Sequence, residues 1–172
     1  SSIIFSFYDP RFDDGFFSRT YADSNFLNKI KKQYVEIDEK RYETLRLNYC
    51  IPDFSIDATK AKSLLLEMRF DELNGISWTK GCYMGQELTA RTRYRGLIKK
   101  RLLPCKIVGP AISPGTPITF DEKNVGEIRS VAGDLAMALL KIASVKDSNA
   151  RKETFTANDS SIIPIQPNWM KF

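Results

Sequence analysis

Apolar positions along the chain follow two regimes. Up to about residue 97 they recur at helical spacing or stand in isolated runs. Ile3 to Phe7 reads as a buried strand, and residues 9–15, DPRFDDG, predict a turn. Phe26, Ile30 and Tyr34 recur every four residues and predict a short helix over Asn25–Glu36. Tyr42, Leu45 and Tyr49 predict the inner face of a second helix, capped by Asp38 and ended by Pro52. Ser55 to Ser63 has no period and predicts a loop. LLLEMRFDELNGISW then gives a short apolar run, a brief helical turn and a break at Gly75.

Beyond residue 97 the runs shorten. Leu102–Val108, Pro117–Phe120, Asn124–Val131, Leu135–Ile142 and Ser161–Ile165 are strand candidates separated by Gly, Pro and Asp/Asn clusters. Short strands so closely spaced predict a small antiparallel barrel or sandwich. We therefore place a boundary near Leu97, dividing the chain into 1–96 and 97–172, and expect an α+β protein.

A length of 172 residues permits a sizeable core, in one domain or two small modules. No apolar run approaches the roughly 18 residues that would cross a bilayer, so no membrane span is expected. The first residues have neither a secretory nor a transit pattern, and a strand-like alternation opens at Ser1. We expect the chain to begin inside a longer protein, with any targeting segment in the part that precedes it.

Charge and cysteine content narrow the chemistry. Arg91, Arg93, Arg95, Lys99, Lys100, Arg101 and Lys106 follow one another with no acid between Glu87 and Asp121, and outweigh the whole net charge of +5. Such a run is either a solvated face or a patch for an anionic cofactor tail, an acidic protein or nucleic acid. Cys50, Cys82 and Cys105 lie far apart and histidine is absent. A structural zinc site is therefore not expected, and four cysteines for an iron–sulfur cluster are not available. A sparse, odd set of thiols fits a reducing compartment.

The densest motif is GISWTKGCYMGQELTAR, residues 75–91, in which a glycine-flanked loop feeds a run of good helix formers. Gly81 and Gly85 would permit positive φ or close approach to a ligand. Cys82, at or just before the helix start and two residues from Lys80, would feel a helix dipole and a cation that both favour a thiolate. The pattern leaves two readings open: a reactive or ligating thiol, or a small buried hydrophobe. Glu87 has a plain reading too, as a complement to the positive helix N-terminus. Cys50 and Cys105, without a nearby cation or glycine turn, read as packing residues.

KGCYMGQE, residues 80–87, followed by LTAR, resembles the KGCYxGQE signature of the YgfZ family. SPGTPI, NVGEIRS and DLAMALLKI resemble that family's C-terminal barrel, and Asp9 to Arg11 also match, so the similarity runs through most of the chain. The resemblance implies the fold of the glycine-cleavage (GcvT-type) aminomethyltransferase: ferredoxin-like units around a folate cavity, then a six-stranded barrel. This chain would be the C-terminal half, with the first ferredoxin-like half absent and the folate pocket incomplete. It further implies an assembly factor for four-iron four-sulfur proteins that binds tetrahydrofolate, contacts a cluster transiently and has A-type carriers as partners. RTRYRGLIKKRL resembles the mitochondrial members, implying the matrix. By position, Cys82 would be the functional thiol, with Lys80, Tyr83, Gly85, Gln86, Glu87 and Arg91 around the cofactor. Arg46, in TLRL, resembles an arginine of the wider transferase family. The alternatives are a folate-dependent aminomethyltransferase, whose motif lacks this cysteine, and a basic nucleic-acid-binding module. For the last, Tyr94 is interleaved with the cations but no RNA-type stacking platform accompanies it, so nucleic acid is not the expected partner.

Overall fold

The computed structural model describes residues 3–11, 17–96 and 98–170. Leu97, at the predicted boundary, and residues 12–15 of the predicted turn lie outside the described residues. The chain divides into two compact units, Ser1–Glu43 and Thr44–Phe172.

In the first unit, β1 (Ile3–Tyr8) pairs antiparallel with β2 (Ser18–Ala22), Phe7 opposite Arg19. Asp9, just past β1, anchors the pair. Its carboxylate accepts from the Arg11 side chain at 2.5 and 2.8 Å, and from Arg19 Nε at 2.8 Å. Arg11 first, and Arg19 after it, hold the Asp9 carboxyl well below the usual carboxylate range. Helix α1 (Ser24–Ile30) starts at Asp23, whose side chain accepts from the Phe26 backbone N–H at 2.8 Å. It ends well short of the predicted Glu36. Helices in proteins are sustained chiefly by packing of one face, and α1 has no buried residue among those described, so nothing carries it past Ile30.

Helix α2 (Glu39–Asn48) begins where expected, with the Arg41 N–H bonded to Asp38 Oδ1 at 2.7 Å. Its buried positions, however, are Arg46 and Leu47, and Tyr42 is 45% exposed. An arginine can face inward only because an acid awaits it. Asp57, fully buried, takes the Arg46 guanidinium at 2.5 Å, the Asp53 N–H at 2.8 Å and the Ser130 hydroxyl at 2.5 Å. Turns carry the chain from Pro52 to Asn74. Residues 67–72 fasten to the barrel: the Leu102 N–H donates to Glu67 O at 2.9 Å, Arg69 Nε donates to Leu102 O at 2.5 Å, and Arg101 forks onto Asp71 at 2.8 and 2.9 Å. Helix α3 (Gln86–Tyr94) follows.

The remainder is a closed antiparallel barrel. Strands β3 (Lys100–Val108), β4 (Pro117–Phe120), β5 (Lys123–Ala132) and β6 (Leu135–Lys141) lead into α4 (Ile142–Arg151), and β7 (Phe155–Ala157) and β8 (Ser160–Pro164) complete the ring in the order β3-β6-β5-β4-β7-β8. Six strands replace the five read from periodicity, because β7 spans three residues and leaves no alternation to detect. Helix α4 has no counterpart in the predicted pattern, since Lys141 at its N-cap makes no side-chain capping bond and the helix thus lacks a start signal. Leu102, Ile118, Ile128, Met137, Leu140, Phe155 and Ile162 fill the interior and are completely or almost completely buried. Asp121 and Glu122, with φ of 49° and 61°, form the two-residue turn between β4 and β5, as a type I′ hairpin requires.

At Gly126 two strands approach so closely that an added Cβ would lie 2.2 Å from the Leu139 carbonyl oxygen. Backbone cannot yield as a flexible side chain does. We expect Gly126→Ala to cost about 2–3 kcal/mol, read as a lower urea midpoint with an unchanged slope.

Candidate functional site

The signature segment starts from a bend at Trp78–Lys80 and reaches α3 through an open loop. Gly85 is the N-cap of α3 at φ +83°, a left-handed conformation that other residues adopt only under strain. Gly81 is different: its φ is ordinary and nothing stands within 4 Å of where a Cβ would be, so the special geometry expected of both glycines belongs to Gly85. Gln86 closes the loop, its Oε1 accepting from the Tyr83 N–H at 3.2 Å while its own N–H donates to Tyr83 O at 3.2 Å. Glu87 lies in the first turn of α3, where its charge opposes the positive end of the helix dipole.

Cys82 is exposed to solvent. The helix starts at Gln86, so Cys82 stands upstream of the first turn, and Lys80 places its ammonium 4.7 Å from the Tyr83 ring centroid. Arg91 is exposed on α3, and Met84 beside the thiol is fully exposed. Leu88 is also exposed and borders a cavity of about 180 Å³ lined by Leu64, Leu65, Leu66, Gly85 and Thr92 among others. The loop thus presents a thiol with apolar groups beside it in sequence. The other two cysteines are enclosed. Burial pushes the Cys50 thiol up to about 12 and the Cys105 thiol higher still, so both are neutral packing groups.

Periodicity could not reveal what braces this loop. The Arg93 guanidinium lies 3.9 Å from the Trp78 ring centroid and joins the last turn of α3 to the start of the loop. Trp78 and Arg93 also line a polar cavity of about 320 Å³ with Asp71, Glu72, Asn74 and Trp169. Arg46 is not brought to the motif's open surface: it is 3% exposed and committed to Asp57, to Ile51 O at 2.8 Å and to Ser130. Among the described residues no group of three or more Asp, Glu or Cys side chains could hold a metal ion.

Fold and site together define a six-stranded C-terminal barrel preceded by a helix that carries a cysteine-bearing loop at its N-terminus. Residues 99–172 match the CAF17 C-terminal β-barrel domain. The chain is 36% identical over 138 residues to the mitochondrial iron–sulfur cluster assembly factor IBA57 of Mus musculus, an alignment covering 77% of this chain and 38% of that protein. It is 41% identical over 101 residues to that of Homo sapiens, covering 56% and 28%, and 44% identical over 72 residues to the Dictyostelium discoideum homolog, covering 42% and 18%. The chain belongs to the YgfZ/CAF17 family, as a C-terminal part, and spans less than half the length of these relatives.

Two measurements check this geometry. A thiol reagent should label one cysteine per native chain, at Cys82, and all three after denaturation in urea. Arg46→Ala leaves the buried Asp57 carboxylate without its cation and should cost about 3–5 kcal/mol in urea unfolding.

Proposed function

We propose that this chain acts in iron–sulfur cluster assembly, within the mitochondrial matrix, with Cys82 as the functional thiol. The relatives bearing that name supply the process, and the exposed sulfur of Cys82 on the braced signature loop is the observation that carries its chemistry. A four-iron four-sulfur cluster is cargo in this reading. One exposed thiol serves as a transient ligand: its sulfur forms an Fe–S bond as a carrier's cysteine leaves the same iron, and the Cys82 proton passes to the departing thiolate. The partners of that exchange are cluster carriers of the A type. Met84 and Leu88 offer apolar area against which such a carrier can pack.

Tetrahydrofolate belongs to the proposal only in part. The cavity beside the motif, at about 180 Å³, is smaller than the roughly 300 Å³ at which small-molecule pockets begin, and Arg46 is spent on Asp57. The residues present therefore do not fit the whole cofactor, and a complete pocket needs groups from the rest of a longer protein. Lys80, Tyr83, Gln86 and Arg91 are the residues of this chain that would border it.

Cys82→Ser in the full-length protein should abolish rescue of four-iron four-sulfur enzyme activity in cells lacking that protein, while far-UV circular dichroism and the urea midpoint stay unchanged. Normal enzyme activity with the serine variant would sink the thiol role. Calorimetric titration of tetrahydrofolate should give binding by the full-length protein and none by residues 1–172 alone. Equal binding by both would show that no further residues are needed.

A further inference from the structure

The basic run that begins in α3 does not end as a uniform solvated face. At one end of the barrel, where β3 starts and β6 passes into α4, lies a cavity of about 470 Å³. Ile98, Ile142 and Ala143 give it apolar walls, and four lysines border it: Lys99 and Lys100 from the start of β3, Lys141 from the end of β6, and Lys146 from α4. The fold brings these pairs together across some forty residues of sequence. A backbone bond from the Ile142 N–H to Lys99 O, 2.9 Å, fixes the junction.

The charge arrangement is unfavourable as it stands. Lys100 and Lys141 are direct partners in the β3–β6 ladder, and like charges opposite one another in an antiparallel pair destabilise it. Lys141 Nζ donates to the Asn124 carbonyl at 2.8 Å, but among the described residues no carboxylate lines the cavity and the first turn of α4 has no acid. Neighbouring cations are treated otherwise. Arg101, next in sequence to Lys100, is held by Asp71 and Glu72, and Arg151 at the far end of α4 by Asp121, Asp147 and Glu153. These two arginines are ion-paired, whereas among the described residues no acid lines the cavity with the four lysines.

We propose that this cavity docks an acidic segment of a partner protein, with an apolar side chain seated against Ile98 and Ile142 and flanking carboxylates on the four lysines. Burying that side chain supplies the hydrophobic term, and the carboxylates relieve the Lys100–Lys141 repulsion. A nucleic acid is disfavoured because, among the described residues, no aromatic side chain lines the cavity to stack a base. A lipid surface is disfavoured because the apolar residues line a recess, whereas peripheral membrane binding places an apolar face outward into the bilayer. The proposal stands whether or not Cys82 has the role given above.

The test is fluorescence anisotropy of the full chain with a fluorescein-labelled peptide, Asp-Glu-Leu-Glu-Asp. The wild type should bind, more weakly as salt rises. The pair Lys99→Glu and Lys146→Glu should weaken binding by about tenfold or more, and the control pair Lys106→Glu and Lys123→Glu, equal in charge but outside the cavity, by less than about threefold. Lys99, Lys146, Lys106 and Lys123 are all exposed, so the urea midpoint should hold in both, and the milder Lys99→Gln, Lys146→Gln pair should weaken binding in the same direction. Replacing the peptide's Leu by Ser should also weaken it. The proposal is overturned by equal loss in both charge-reversed pairs, by no peptide binding to the wild type, or by cavity-dependent binding of a single-stranded oligonucleotide or anionic phospholipid vesicles in place of the peptide.

Discussion

The second unit is organised around a carboxylate with no access to water. Asp57 is enclosed and takes hydrogen bonds from Arg46 on α2, from the Asp53 backbone and from Ser130 on β5. Placing an ion pair in the interior is expensive, and it persists only where further hydrogen bonds satisfy the remaining lone pairs. Those donors come from three separate stretches of chain, so the carboxylate is satisfied only when the end of α2, the turn at Asp53 and the wall of the barrel are all in place. The arginine bonds from Arg69 and Arg101 repeat this logic on β3, again joining residues before the barrel to its wall. Polar groups inside this unit therefore specify an arrangement that a purely apolar interface would leave looser.

Upon that frame the signature loop is fixed at both ends and open in the middle. Gly85 turns the chain into α3, Gln86 ties the loop to Tyr83, and the Arg93–Trp78 stack closes the far side. Between these restraints Cys82 and Met84 remain outside. Met84 and Leu88, on the same segment as the thiol, are likewise open to solvent.

How much of this could be read from residue order differs by element. β4, β5 and β6 emerge within a residue or so of their predicted bounds, because Pro117, the Asp121–Glu122 turn and the Gly133–Asp134 turn punctuate short apolar runs that no helix could use. The strand β2 is exposed along almost its whole length and shows no alternation. The inner face of α2 differs from the one periodicity predicts because Arg46 is polar by any scale and becomes an interior residue only through an acid eleven positions further on. At the site, the eight-residue signature marked the segment, yet neither the exposure of Cys82 nor the Arg93–Trp78 brace follows from spacing. Both depend on where α3 comes to lie against residues that precede the loop.

Closure of the barrel has its own consequence. Pairing of β3 with β8 leaves no strand of the ring with an unpaired row of backbone donors and acceptors over its full length. A strand added by a visiting chain, a common route for recognising extended peptides, finds a backbone edge only where the ladders are short, as between β4 and β7, which share the single pair Thr119 and Thr156. Over the rest of the ring a partner meets side chains, and selectivity there rests on shape and charge in place of backbone complementarity.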